Sequence, residues 1–251
     1  MERYFEINKD GHNVRCKLYA GRMEDIQEVV VFGHGFGGHK DNKAAGRFAQ
    51  RVLSKYKHAA VVTFDWPCHG NDVKKKLHLS DCGTYLSLVL AYLQEHFAPK
   101  AVYAYATSFG GYLFLKYIAE NGNPFKKIAL RCPAVDMYAV LTKNIIDEAA
   151  AEKLAKGKEA TVGFDRKVNI GPDFLEELRR ADITQWDFIP YAEDILILHG
   201  TKDEIVPIAS VQAFAEENII ECIPVENADH RFTDPRTMDT AIQYILQQFA
   251  L

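Results

Sequence analysis

The segment Tyr105-Ala106-Thr107-Ser108-Phe109-Gly110-Gly111 decides how this chain folds. It closes an apolar run, Ala101 to Ala106, of the kind buried in a parallel sheet. It opens onto Tyr112, Leu115, Tyr117 and Ile118, whose spacing predicts a helix ended by Asn121-Gly122. A serine held on a sharp strand-to-helix turn needs small residues two positions before and two after it, and Ala106 and Gly110 stand there. The first of these is usually glycine, and alanine adds one methyl group. Such a turn lifts the Ser108 hydroxyl above the carboxyl edge of the sheet. It also places the Phe109 amide at a helix N-terminus, where an anion is stabilised. Read alone, the same residues also describe an N-cap serine followed by glycines.

Outward from this turn, short apolar runs recur at Val29-Val30-Val31-Phe32, Ala59 to Phe64, Ile128-Ala129-Leu130, Ile195 to Leu198 and Ile219 to Ile223. Between them Tyr85, Leu88, Val89, Tyr92 and Leu93 share one helical face, and a last helix starts near Pro235 and points Ala241, Ile242, Ile245, Leu246 and Phe249 inward. Near the start, Tyr4 to Ile7 and Val14 to Tyr19 flank the turn-rich Asn8-Lys9-Asp10-Gly11, which predicts a hairpin. A hairpin followed by alternating strands and helices predicts an α/β fold with a doubly wound, mostly parallel sheet flanked by helices. The chain has 251 residues, a length that such folds reach as one domain.

One stretch breaks the alternation. Roughly sixty residues separate the runs at Ile128 and Ile195, far more than a crossover requires. Residues 136–191 are therefore expected as a cap subdomain inserted after the sixth main-sheet strand. Within it the sequence predicts a helix over Asp147 to Lys156, a small hairpin over Thr161 to Ile170 around Asp165, and a helix over Pro172 to Arg180. Its aromatic residues, Tyr138, Phe164, Trp186 and Phe188, either pack it onto the body or line a pocket. The return through Trp186-Asp187-Phe188-Ile189-Pro190 leads straight into the strand at Ile195, so Trp186 is expected at the mouth of the site, placed to stack on a flat ligand.

Composition narrows the function. Hydrophobic residues make up 48% and charged residues 25% of the chain, and its formal charge of −4 leaves little to attract a nucleic-acid backbone. No apolar stretch is long enough to span a membrane, and the first residues lack the apolar core of a secretory signal. Five cysteines at scattered spacings suggest buried free thiols in a cytoplasmic protein. No histidine or cysteine spacing predicts a metal site.

Three further motifs bear chemistry. Gly33-His34-Gly35-Phe36-Gly37-Gly38 follows a strand and frees its backbone to turn the Phe36 amide towards a developing oxyanion. Its glycine spacing is not that of a dinucleotide loop, and His34 is expected to shape the loop. Asp203, in His199-Gly200-Thr201-Lys202-Asp203, sits just past a buried strand, and His230, in Ala228-Asp229-His230-Arg231-Phe232, follows the last one. Asp229 adjoins His230 in sequence, but neighbouring side chains diverge, so Asp203 is the better partner. The order Ser108, Asp203, His230, each after its own strand, is that of one group of serine hydrolases.

Taken together, these motifs resemble the α/β-hydrolase superfamily over nearly the whole chain. Length, hairpin and insertion are similar to those of the small bacterial feruloyl and cinnamoyl esterases. The resemblance implies a serine carboxylesterase acting on a small-molecule ester, with hydroxycinnamoyl, other aromatic or short acyl groups as the candidates, catalytic Ser108, Asp203 and His230, oxyanion donors Phe36 and Phe109, and no cofactor. It also suggests that Cys68 and His69, in Asp65-Trp66-Pro67-Cys68-His69-Gly70, shape a loop beside the pocket. Acyl-thioesters or peptides with a free amine would use the same machinery; Asp136, Asp147 and Glu148 would then be candidates to receive the amine. A catalytically dead binding protein is the alternative from another class. The oligomeric state stays open, a homodimer included.

Overall fold

The structure, a computed structural model, describes residues 1–72 and 74–250. It opens with β1 (Glu2–Lys9) and β2 (His12–Ala20), paired antiparallel from Glu2↔Tyr19 to Lys9↔His12. The hairpin is longer than the apolar letters suggest, because only Asp10 and Gly11 turn. Both have positive φ, 50° and 77°, in the two-residue turn whose twist matches that of its strands.

The chain then alternates: β3 (Glu28–Gly33), α1 (Lys43–Lys55), β4 (Ala59–Phe64), α2 (Leu79–His96), β5 (Ala101–Thr107), α3 (Phe109–Asn121) and β6 (Ile128–Arg131). A long segment follows, with α4 (Met137–Val140), α5 (Glu148–Ala155), the small hairpin β7 (Ala160–Val162) and β8 (Val168–Ile170), and α6 (Pro172–Arg180). It returns through two short 3₁₀ turns, Ile183–Gln185 and Ile189–Asp194. The main sheet resumes with β9 (Ile195–Gly200), α7 (Ile208–Glu217), β10 (Glu221–Val225) and α8 (Pro235–Phe249).

The main sheet has eight strands in the order β1-β2-β4-β3-β5-β6-β9-β10, parallel from β4 onwards. Strand alternation divides its apolar side chains between two faces. Val29, Val31, Ala104, Ala106, Leu130 and Ile197 pack with α2, α3 and α7. Val30, Phe32, Tyr103, Tyr105, Ala129 and Leu198 pack with α1 and α8. Because the central strands run parallel, the carboxyl ends of β3, β5, β6, β9 and β10 share one edge, where such sheets bind ligands.

Two elements differ from the sequence reading. The last strand begins at Glu221, because Asn218 closes α7 and Ile219 turns with φ 58° and is 71% exposed. The Ile220 amide bonds back to Ala215 O at 2.8 Å, so these apolar residues end a helix before the strand begins. In the long segment, α4 runs on as a widened helical turn over Leu141–Ile145, which no periodicity announced. The expected helices and hairpin of that segment are present. Among the described residues no helix is long and apolar enough to cross a membrane.

Candidate active site

Ser108 stands between β5 and α3 with φ 51° and ψ −118°. That backbone disfavours any residue with a Cβ and costs about 1–3 kcal/mol, so its surroundings must hold it. The Ser108 amide donates to Arg131 O at 3.0 Å, and the Tyr112 and Ala134 amides donate to Ser108 O at 3.2 and 3.1 Å. Small residues are needed because the helix start presses on β3: a Cβ on Gly110 would lie 2.5 Å from Gly33 O. Ala106 is fully buried, so its extra methyl fits.

The loop after β3 folds over the serine. A Cβ at Gly35 would come within 3.1 Å of Ser108 Cβ, close enough to push the serine by a few tenths of an ångström. Gly38 N closes the turn onto Gly35 O at 2.9 Å. Among the described residues, neither the Phe36 nor the Phe109 amide donates to a protein acceptor. His34 shapes this loop: its Nδ1 donates to Gly35 O at 2.8 Å, and its Nε2 accepts from Trp66 N at 3.3 Å. Acceptance at Nε2 requires a neutral ring, and burial pushes its pKa well down. His69 is also neutral: burial drives it down to about 4 against the hydrogen bond from its Nδ1 to Pro67 O. Below them Asp65 is fully buried, bonded to the Lys40 ammonium at 3.1 Å and to the Lys40 and Asn71 amides at 2.7 and 3.0 Å.

Asp203 and His230 arrive from the next two strand ends. Asp203 Oδ1 accepts from the Ile205 and Val206 amides at 2.9 and 2.8 Å. Its Oδ2 accepts from His230 Nδ1 at 2.8 Å. His230 Nε2 then faces Ser108 Oγ at 3.0 Å and is free to accept the hydroxyl proton. Burial pushes the Asp203 carboxyl up, but hydrogen bonds from His199 and His230 and the charge of His230 outweigh it, holding the group far below the ordinary carboxylate range. Asp229 faces elsewhere, accepting from the Thr233 amide at 2.8 Å and from its hydroxyl.

His199 is a partner that the sequence reading quoted without assigning. It is fully buried, its Nε2 donates to Val206 O at 2.9 Å, and the same nitrogen stands 3.2 Å from Asp203 Oδ2. A histidine four residues before the acid, at the end of a buried strand, was the available signal. Cys132 packs against Asp203, and burial drives its thiol well above the usual value, with the Asp203 charge adding to the effect. The other cysteines are free as well, and burial raises Cys68 to about 12 and Cys222 to about 11.

A cavity of about 900 Å³ opens over this edge. Gly35, Phe36, Ser108 and His230 line one wall, and Ile145, Phe164 and Arg166 reach it from the long segment. Trp186 does not: it is half-buried against the main core, its amide bonded to Ile183 O at 3.2 Å. No residue of the return segment 186–190 lines the cavity, and the β7–β8 hairpin takes the place expected for it. Phe188 is core against Phe214, and Tyr138 lies under Arg179. Asp136 and Asp147 cap α4 and α5, accepting from Ala139 N and Ala150 N at 2.9 and 2.8 Å. They and Glu148 lie outside the cavity wall.

This arrangement of sheet, serine turn and strand-end loops has known relatives. A family model of the alpha/beta hydrolase fold matches residues 28–184, and the chain belongs to that family. Est1E from Butyrivibrio proteoclasticus, in a structure with bound ferulic acid, superposes with a TM-score of 0.76 at 19% identity over 98% of this chain and 100% of that one. Alpha/beta hydrolase domain-containing protein 10 from mouse gives 0.73 at 17% identity, covering 99% of this chain and 98% of that one. The esterase domain of a Rhodothermus marinus protein gives 0.70 at 19%, covering 98% and 96%. At these identities the likeness is one of fold. No curated protein matches the chain in sequence.

Proposed function

We propose that the protein is a serine carboxylesterase that works through an acyl-enzyme. The observation that carries this reading is the continuous relay from Ser108 Oγ to His230 Nε2, 3.0 Å, and from His230 Nδ1 to Asp203 Oδ2, 2.8 Å. His230 takes the Ser108 proton as the hydroxyl attacks the ester carbonyl. Asp203, already ionised and doubly held by backbone amides, orients the ring and stabilises the imidazolium. The undonated Phe36 and Phe109 amides receive the tetrahedral oxyanion, and loss of one such donor typically lowers rate by about 10²–10³. His230 then returns the proton to the leaving alcohol, and water repeats the sequence on the acyl-enzyme. The route calls on no metal or organic cofactor.

Residues 136–191 act as the cap in this reading, with Phe164 and Phe36 offering rings to an aromatic acyl or alcohol group. Hydroxycinnamoyl esters are therefore one substrate class to try, and the ferulic acid held by Est1E points the same way. A peptidase that grips a free amine fits less well, since the acids expected to receive it serve as helix caps or stand outside the wall. The test is a panel of p-nitrophenyl esters, methyl ferulate, acyl-thioesters and aminoacyl-anilides on one preparation. Oxygen esters should be turned over fastest. Faster cleavage of the thioester or the anilide would reassign the substrate class.

A further inference from the structure

Resting on the serine-hydrolase reading, we propose that Arg131 receives an anionic group of the substrate, so that the preferred ester is an acidic one. Arg131 ends β6 and is only 5% exposed, yet it lines the cavity. Its Nε has no hydrogen-bond partner, and among the described residues no carboxylate lies within ion-pair distance of it. Among the described residues its one polar side-chain contact is a weak one, Nη1 to Met238 Sδ at 3.3 Å. The guanidinium sits 5.1 Å from the centre of the Phe232 ring, which contributes attraction but no counter-charge.

A buried cation is normally paired, because leaving water without a partner costs several kcal/mol. The two other buried cations among the described residues obey that rule: Lys40 has Asp65 at 3.1 Å and Asp41 at 3.3 Å, and Lys17 has Glu2 at 2.9 Å and Asp41 at 3.5 Å. Arg131 opens instead onto a space where a ligand can supply the missing charge. The planar guanidinium suits a bidentate carboxylate, sulfate or phosphate.

The rest of the wall favours an anion too. Arg47 and Arg231 are neutralised by Asp239 at 2.7 Å and Asp165 at 3.1 Å. Lys43 and Arg166 also line it and have no carboxylate partner among the described residues, while Glu204 is the one unpaired acid of the wall. The nucleophile is close to Arg131 through the backbone, since the Ser108 amide donates to Arg131 O at 3.0 Å. An ester seated on Ser108 thus shares one cavity with Arg131, His230 and Phe232, and its anion would be received at Arg131.

The test compares matched esters. Mono-4-nitrophenyl glutarate against 4-nitrophenyl valerate places the charge on the acyl side; 4-acetoxybenzoate against its methyl ester places it on the alcohol side. For one pair at least, wild type should favour the acid in kcat/KM. Arg131→Gln should reduce that acid-to-neutral ratio about ten- to a hundred-fold, as expected for loss of a charge-assisted bidentate contact. Arg131→Lys, which keeps the charge and loses the fork, should fall between. Ratios equal in wild type and both variants for both pairs would overturn the proposal. A phosphate-bearing pair distinguishes phosphate from carboxylate. A second readout does not depend on turnover: isophthalate titrated calorimetrically into Ser108→Ala and into Ser108→Ala/Arg131→Gln. Affinity should drop at least tenfold with the second change, and equal affinities would likewise overturn the proposal. If no ester is hydrolysed, the esterase reading fails on the kinetic arm while the calorimetric arm still decides the role of Arg131; Arg131→Lys replaces Arg131→Gln there should the latter not fold.

Discussion

The loops that follow β5, β6, β9 and β10 and the long segment between β6 and β9 both wall the cavity, but they are held in different ways. The strand-end loops are laced to one another by main-chain bonds. Ser108 N donates to Arg131 O at 3.0 Å, Cys132 N to Leu198 O at 2.9 Å, and Lys202 N to Ala228 O at 2.9 Å. Each loop thus inherits its position from the register of the sheet beneath it. The long segment hangs largely on side chains. Tyr112 Oη donates to Ala181 O at 2.9 Å, Asn144 Nδ2 to Ile205 O at 2.7 Å, and Glu177 and Asn218 accept from the Leu79 and Phe188 amides at 2.7 and 2.8 Å. The difference separates two tasks. The laced edge fixes reacting groups to within tenths of an ångström, as acyl transfer demands. The pinned segment shapes what may enter and can vary without disturbing the chemistry.

Ser108→Ala breaks the laced edge at its centre. It should lower ester turnover by about 10³–10⁶ while the fold persists, as removal of such a nucleophile does elsewhere. A fluorophosphonate probe should label wild type only, and labelling of the variant would place the nucleophile elsewhere. Asp203→Asn should cost about 10⁴ in kcat through the wrong His230 tautomer, whereas Asp229→Asn should change it only a few-fold, since Asp229 bonds Thr233. The reverse ranking would show that the histidine takes its orientation from its own loop and not from β9.

The comparison is less sharp in the reading of the sequence itself. Ser108, Asp203 and His230 could be picked out because each follows an apolar run whose end fixes its place. The helix over Pro172–Arg180 was visible for a related reason, with Pro172 at its start and Phe174 and Leu178 on one side. Trp186 and Phe164 could not be sorted that way. Both are aromatic residues in one insertion, and only the packing of α6 and the β7–β8 hairpin decides which meets the cavity. Arg131 was missed because three apolar residues announce β6 and then stop, while the face taken by the fourth depends on register with β5 and β9.

Acid tests the neighbouring loops after β3 and β4, which carry His34 and His69. His69, held at about 4 in the fold, ionises near 6.5 when unfolded. Between those values the unfolded chain binds a proton that the folded one refuses, so stability rises with pH and is lost as pH falls from about 6.5 to 4. The contribution is about 3 kcal/mol, and His34 acts in the same direction. Denaturant melts at several pH values should show that slope, shallower in His69→Asn. An unchanged slope in the variant would mean that other groups set it.

The smallest effects belong to the pinned segment. Trp186→Ala should remove about 2 kcal/mol of packing, or roughly 4–8 °C in Tm, and lower activity equally on methyl ferulate and p-nitrophenyl acetate. Phe164→Ala, at a residue 44% exposed, should leave Tm nearly unchanged and weaken methyl ferulate alone, about three- to ten-fold. If Trp186→Ala alters the substrate ratio, the segment rearranges when substrate binds.

The raised cysteines give this protein an unreactive sulfur surface. With Cys222 at about 11 and Cys68 at about 12, both through burial, roughly one thiol in a thousand or fewer is thiolate at pH 8. The remaining three are fully buried. Alkylating reagents and mild peroxide should therefore pass the native chain by, which intact-mass spectrometry can read directly. A single cysteine introduced at Asp165, whose side chain is 84% exposed on the β7–β8 hairpin, would then be the one handle a dye can find. The hairpin's movements could be followed by fluorescence without first stripping the protein of its own thiols.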